Sequence, residues 1–253
     1  MEYDPASFVK EFGIHSLVCC FSGGKDSLAA THYTLDAVRD FEDLDRYVVW
    51  IDTTIALPGV LEYVEETALA QHWPLVVLKP EASFFQLASR WGMPRLRHRW
   101  CCYHLKLKPM IEFTKKLRPQ RCEVTGLRRL ESIRRSKMVQ WFLTKGKTRT
   151  FKYAPIIDWT DEDVDSYIDE HDLKVNPIYP LIDTSGECIC GVYTSVHKLQ
   201  LIRGKWPDFF KQFVEIERSF RSRGSAFYRN RPIRAEEIWS QETLDSIEEN
   251  RST

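Results

Sequence analysis

No uninterrupted apolar run in this sequence approaches the roughly 18 residues that cross a bilayer. The opening Met1-Glu2-Tyr3-Asp4 carries acids where an export signal carries a basic and then an apolar stretch. Both absences lead to the expectation of a cytoplasmic protein with no membrane partner. Charge of one sign is not in excess either, because 36 Lys and Arg balance 36 Asp and Glu across 253 residues. Affinity for a polyanion must therefore come from local asymmetry and not from net charge. Seven cysteines, an odd number, argue against a closed disulfide framework, so reduced thiols are expected. Internal repeats and low-complexity tracts are also missing. What remains, 43% hydrophobic and 28% charged residues, is the composition of an ordinary globular protein. The length suits one large domain, or one domain with a smaller appendage.

The first half alternates short apolar runs with longer amphipathic stretches, the pattern of βαβ units. Residues 17–21, 47–51, 75–78 and 123–125 read as strands, and 26–40 and 59–71 as helices. Leu28, Ala29, His32, Leu35 and Val38 recur near helical spacing in the first helix, and Val60, Val64 and Ala68 in the second. The second half changes texture. A helix start is expected at Thr160, with Asp163 completing the cap. Residues 173–180 form a turn-rich link, 209–220 an aromatic packing helix, and the polar end from Ser240 frays. The fold class expected is α/β, a doubly wound parallel sheet in residues 1–155 with a smaller, mainly helical C-terminal region in 156–253.

The most specific motif is Ser22-Gly23-Gly24-Lys25-Asp26-Ser27, between the first strand and the first long helix. Two glycines let backbone N–H groups turn inward, the helix start adds its dipole, Lys25 adds a point charge, and Ser22 and Ser27 donate hydroxyls. This is a phosphate cradle but not a Walker loop, because Cys19 stands where that motif needs glycine. Asp52, at a strand's carboxyl end, is placed for ribose or magnesium contact, or as a plain loop acid. Arg128, Arg129, Arg134 and Arg135 have the forked geometry to clamp phosphate.

With these residues in view, the sequence resembles the PP-loop ATP pyrophosphatases, also called adenine nucleotide alpha-hydrolases. Within them it looks like the phosphoadenosine-phosphosulfate reductase family. The segments Trp50-Ile51-Asp52-Thr53, Arg99-Trp100-Cys101-Cys102 and Gly126-Leu127-Arg128 with Glu131-Ser132 are similar to that family's landmarks. Pro155-Ile156-Ile157-Asp158-Trp159 and Asn176-Pro177-Ile178-Tyr179 follow in the same order. The resemblance implies binding of ATP with Mg2+, with Lys25, Asp26 and Arg128 in catalytic roles. Ser22, Gly23, Gly24, Ser27, Asp52, Gly126 and Arg134 join them around the nucleotide.

Cys101-Cys102 and Cys188-x-Cys190 form two close pairs, the second set in a tight loop between Gly186 and Gly191. Four thiolates from two loops suit an iron–sulfur cluster, and zinc held by four sulfurs, or by three and His104, is the rival reading. The resemblance implies a [4Fe-4S] cluster, although relatives that carry one usually space the later pair by two residues. Cys19, Cys20 and Cys122 fall in or beside apolar strands and read as small core residues.

The resemblance also frames the reaction. Sulfonucleotide reductases use a late cysteine, and none follows Cys190 here, so the expectation moves to cleavage of ATP between its α and β phosphates. Sulfur incorporation into a nucleic acid is the implied outcome, because the chain resembles in particular the ATP pyrophosphatases of DNA phosphorothioation systems. A cysteine desulfurase as sulfur donor and other modification proteins are the implied partners. A tRNA thiolase, a phosphoadenylyl- or adenylyl-sulfate reductase and a non-catalytic nucleotide-binding scaffold are the alternatives. Residues 128–152 hold nine Lys or Arg and one acid, Glu131, whereas 158–172 is acidic. The basic stretch either tracks a nucleic-acid backbone, with Trp141 and Phe142 for stacking, or serves nucleotide phosphates beside a solvated loop.

Overall fold

The computed structural model describes residues 2–133, 135–145, 149–219, 227–228, 232–233 and 238. Its centre is a six-stranded sheet built from β1 (Ser16–Cys20), β2 (Asp45–Ile51), β3 (Leu75–Leu78), β4 (Arg121–Val124), β5 (Trp141–Leu143) and β6 (Thr150–Tyr153), in the order β3-β2-β1-β4-β6-β5. All neighbours are parallel except β5 and β6. β1 lies at the centre because Leu17, Val18 and Cys19 are apolar on both faces, as a strand covered on both sides requires. The expected α/β class with a mostly parallel sheet is what the chain forms.

Helices α1 (Pro5–Phe12), α2 (Lys25–Ala37), α3 (Val60–Ala70), α4 (Phe84–Trp91) and α5 (Lys108–Thr114) precede β4. After β6 come α6 (Asp161–Glu170), α7 (Tyr179–Ile182), α8 (Val196–Lys205) and α9 (Pro207–Ser219). The main core joins Leu28, Trp50 and Val64 from the sheet region with Val164, Ile178 and Phe213 from the later helices. A smaller core of Val18, Val49 and Met110 packs α5 on the opposite face of the sheet. Val60, Val64 and Ala68 are buried along α3, as their spacing predicts. Thr160 and Asp163 close the expected capping box: Asp163 N–H donates to Thr160 Oγ1 at 3.0 Å and Thr160 N–H to Asp163 Oδ2 at 2.7 Å. The expected helix over 209–220 begins earlier, at Pro207, and buries Phe210 and Phe213. Among the described residues no helix is long and apolar enough to cross a membrane. The end from Ser240 lies outside the described residues.

The basic stretch departs from expectation. It folds back as the antiparallel edge pair β5–β6, with Trp141 and Phe151 facing inward. Phe8 of α1 stacks on Tyr153 with centroids 4.2 Å apart, and Phe12 packs on Trp141 at 4.5 Å. Trp141 is therefore a packing residue and not a free stacking platform. Only Phe142, on the opposite face of the strand, is exposed.

Candidate active site

The phosphate loop joins the carboxyl end of β1 to α2, where open α/β sheets bind ligands. Gly23 adopts φ +78°, a left-handed conformation that favours glycine, and Gly24 caps α2 without a side chain. Ser27 Oγ donates to Gly24 O at 2.8 Å and lies 3.0 Å from Ser22 Oγ, so the two hydroxyls flank the turn. Gly126, just beyond β4, presses on the main chain of Asp26: a Cβ there would lie 2.5 Å from Asp26 O and 2.7 Å from Ser27 N. Only glycine fits this contact.

Asn176 holds the loop from the other side. Its Nδ2 donates to Gly23 O and to Ser185 O, both at 3.0 Å, while its Oδ1 accepts from Ile178 N–H at 2.9 Å. Sequence reasoning marked Asn176 only as a landmark and missed this bracing role, since nothing in a sequence shows which distant carbonyl an amide will find.

The charges at the loop come from α2, α6 and the segment after β4. Lys25 Nζ lies 2.9 Å from Asp165 and 3.6 Å from Asp161. Burial alone would lower the Lys25 pKa, but these carboxylates outweigh it and raise it. Arg128 is 5% exposed; it donates to Asp161 Oδ1 at 2.7 Å and lies 3.3 Å from Asp26 Oδ1. Burial raises the Asp26 pKa more than Arg128 lowers it, and Asp26 Oδ1 is buried without a hydrogen bond. A buried carboxylate oxygen with an ion-pair partner but no hydrogen bond, beside a phosphate cradle, fits a divalent cation. The acidic pair Asp161 and Asp165, four apart on one helical face, was visible in the sequence, but its approach to Lys25 was not.

Asp52 caps its own turn, accepting from Thr54 N–H at 2.8 Å. The other expected phosphate ligands divide. Arg129 pairs with Asp158 and Glu2, and Arg135 with Glu131, so both are neutralised on the surface. Arg134 lies outside the described residues.

The four cysteines converge. Cys101 closes the segment before a π-helix at Cys102–Leu107, while Cys188 and Cys190 sit between α7 and α8. The second loop is tied to the chain beyond β2, with Thr53 Oγ1 donating to Glu187 O, Leu57 N–H to Gly186 O at 2.9 Å and Ile189 N–H to Ile55 O at 3.2 Å. Thiol contacts link Cys101 to Cys102, Cys101 to Cys190 and Cys190 to Cys188. The contact from Cys101 brings Cys102 down to about 7 and pushes Cys101 up to about 12. Lys106 faces this group and donates to Glu187 Oε2 at 2.8 Å. Burial would lower the Lys106 pKa, but Glu187 and the thiols raise it. A cavity of about 470 Å3, lined by Lys106, Glu187, Cys188, Tyr193 and Lys198, opens on the group.

All-sulfur donors in serial contact, with a cation alongside, fit an iron–sulfur cluster. Among the described residues no group of three or more His, Cys, Asp or Glu is gathered in metal-holding geometry, for zinc or for a cluster. Cys19 and Cys122 are fully buried and Cys20 half-buried in the sheet, as expected of core residues.

Residues 16–196 match the phosphoadenosine phosphosulfate reductase domain. The chain belongs to this family. An uncharacterized protein of Methanocaldococcus jannaschii is 30% identical over 203 residues, covering 79% of this chain and 47% of its own length. An adenosine 5'-phosphosulfate reductase of Streptomyces coelicolor is 32% identical over 136 residues, covering 52% of this chain and 55% of its own. The chain thus spans about half the length of both relatives. The crystal structure of a phosphoadenylyl-sulfate reductase from Candida auris, in complex with phosphate, superposes with a TM-score of 0.53. Its identity is 20%, over 71% of this chain and 85% of that one, which supports a shared fold. Among family members of known activity are enzymes of sulfonucleotide chemistry.

Proposed function

We propose that this family member is an ATP pyrophosphatase that activates a nucleic acid, most simply the DNA backbone, for sulfur incorporation. The observation that carries the reading is Asn176, which ties the phosphate loop at Gly23 to the cysteine loop at Ser185 with one amide. Nucleotide activation and sulfur chemistry then share one carboxyl-edge site.

In this reading the loop amides and Lys25 hold the β and γ phosphates of ATP, and Arg128 stabilises charge developing on the α phosphate. A non-bridging oxygen of the acceptor attacks the α phosphorus, and the bond to the β phosphate breaks. Pyrophosphate leaves with the bonding electrons, and AMP stays on the acceptor. The outer sulfur of a cysteine desulfurase persulfide then attacks the acceptor's own phosphorus, and AMP leaves with the P–O electrons; a second thiol cleaves the remaining S–S bond, releasing the phosphorothioate and ending as a disulfide. Asp26 would help to hold Mg2+, which offsets phosphate charge. Cys101, Cys102, Cys188 and Cys190 would hold a [4Fe-4S] cluster, a centre suited to redox and sulfur chemistry.

The test is release of AMP and pyrophosphate from ATP in the presence of DNA or tRNA. DNA-stimulated release, abolished in Lys25→Ala, supports the reading; stimulation by tRNA alone transfers it to tRNA thiolation. Nucleotide binding without release under either condition leaves a scaffold. A second reading follows from the relatives named adenosine 5'-phosphosulfate reductase. Sulfite formation from adenosine 5'-phosphosulfate with a dithiol, and no pyrophosphate from ATP, would establish it instead. The cluster is checked separately: anaerobically purified protein should be brown with broad visible absorbance, and Cys188→Ser should lose it.

A further inference from the structure

Between Glu81 and Glu112 the sequence has six Lys or Arg and no acid. This stretch is more one-sided in sequence than residues 128–152. In the later stretch Arg128, Arg129, Arg135 and Lys152 each hold a carboxylate, and Lys137, Lys145 and Arg149 have none in ion-pair range among the described residues. In the earlier one Lys106 and Lys108 are paired, but among the described residues no carboxylate lies within ion-pair range of Arg90, Arg97 or Arg99. Arg90 lies in the last turn of α4, and Arg97 lies in a hairpin closed by Arg95 N–H to His98 O at 3.1 Å and His98 N–H to Arg95 O at 2.9 Å.

Exposed aromatic rings lie among these cations. Trp91 is 47%, Tyr103 51% and Tyr193 50% exposed. His104 links Trp91, at 4.9 Å between centroids, to Tyr103, at 5.0 Å. The Arg99 guanidinium sits over the Tyr193 ring, 5.6 Å from its centre, and hydrogen-bonds the Tyr193 hydroxyl. This face ends at the cysteine group, where Cys102 N–H donates to Arg99 O at 3.2 Å.

We propose that the face formed by Arg90, Trp91, Arg97, Arg99, Tyr103 and Tyr193 binds an unpaired nucleic-acid strand and leads it to the cysteine site. Unneutralised guanidinium groups supply the backbone attraction, and open aromatic faces supply sequence-tolerant stacking for bases that a duplex would hide. The assignment deepens the proposed function by naming where its acceptor docks, and it moves the nucleic-acid face away from residues 128–152.

The test measures fluorescence anisotropy of labelled single strands, deoxy and ribo, on the full chain without ATP. A duplex of the same sequence, polyglutamate and phosphatidylglycerol vesicles serve as competitors. Arg90→Gln/Arg97→Gln should weaken single-strand binding at least ten-fold and reduce the salt slope by about 1.4, the loss of two phosphate contacts. Arg90→Lys/Arg97→Lys should restore most of the affinity. Tyr103→Ala should weaken it about five-fold or more, the lower end for one stacked base. Lys145→Gln/Arg149→Gln should leave it within two-fold. Wild-type affinity in the double Gln variant, an equal loss in the 145/149 variant, or equal competition by duplex, polyglutamate or vesicles overturns the proposal. The deoxy and ribo arms identify which strand docks. Strand binding without pyrophosphate release would sink the proposed function and leave this face standing. Strand-stimulated release that ignores Arg90 and Arg97 would do the reverse.

Discussion

Gly126 and Asp26 are in backbone contact: a Cβ on the first would stand 2.5 Å from the carbonyl oxygen of the second. The segment after β4 therefore fixes where α2 begins, and α2 fixes Lys25 and Asp26. Gly126→Ala forces the start of α2 outward against a packed loop, an overpacking of about 1–3 kcal/mol. Chemical denaturation should register that loss, and ATP titration should show a disproportionate fall in affinity because in the proposed function the displaced atoms hold the phosphates. Unchanged ATP affinity in a destabilised variant would mean that this contact serves packing alone.

Asn176 is fully buried and satisfies three main-chain groups, two of them on functional loops. Asn176→Ala leaves the carbonyls of Gly23 and Ser185 without this donor, at about 1–3 kcal/mol for each group left unpaired. The expected signature is double: weaker nucleotide binding and faster alkylation of the cysteines, both from one substitution. Alkylation at the wild-type rate would show that the cysteine loop is held by its bonds to Leu57 and Ile55 instead.

How much of this was legible beforehand depended on the range of each signal. The Ser22–Ser27 loop was readable because its chemistry is local: glycine, lysine and hydroxyls stand in one turn. The two cysteine pairs were readable as donors, but their serial contact depends on Gly186 packing near Val60 and on Thr53 reaching Glu187. The packing role of Trp141, offered as a stacking residue, is hidden in the sequence because its period-two aromatic pattern runs through the basic stretch 128–152. Phe151 and Tyr153 alternate with Lys152, and α1 supplies Phe8 and Phe12 to cover them. The Arg90–Arg99 segment carries a fainter sequence signal, since it is marked by the acids it lacks.

The stability profile with pH should carry the mark of Asp26. Burial raises its folded pKa above the ordinary 3.8, so the folded state binds the proton more tightly than the unfolded one. Stability from this group is full below that ordinary value and is lost as pH rises through the folded pKa. Asp161 has the opposite sign, because its hydrogen bond to Arg128 lowers its pKa. Its contribution is present above 3.8 and lost as pH falls through its folded pKa, and it is small because the carboxylate is largely exposed. Urea denaturation from pH 4 upward should therefore show wild type losing stability relative to Asp26→Asn as pH rises. A difference that grows in wild type's favour over that interval would mean that Arg128 and not burial dominates.

Lys25 reaches α6 through Asp165 at 2.9 Å, so a carboxylate stands where the lysine would meet a phosphate. In the proposed function the nucleotide displaces it. The pair is partly solvated, and such pairs contribute about 0.2–1 kcal/mol, so Asp165→Asn should tighten ATP binding only a few-fold in metal-free buffer. Calorimetry with and without Mg2+ separates two roles for the acid. A competitor for Lys25 gives tighter binding in both buffers. An acid that also helps to hold the metal gives tighter binding without Mg2+ and weaker binding with it, because the lost ligand then outweighs the freed lysine. Weaker binding in metal-free buffer fits neither role, and would place Asp165 as a brace that orients Lys25 toward the phosphates instead of a carboxylate that holds it back.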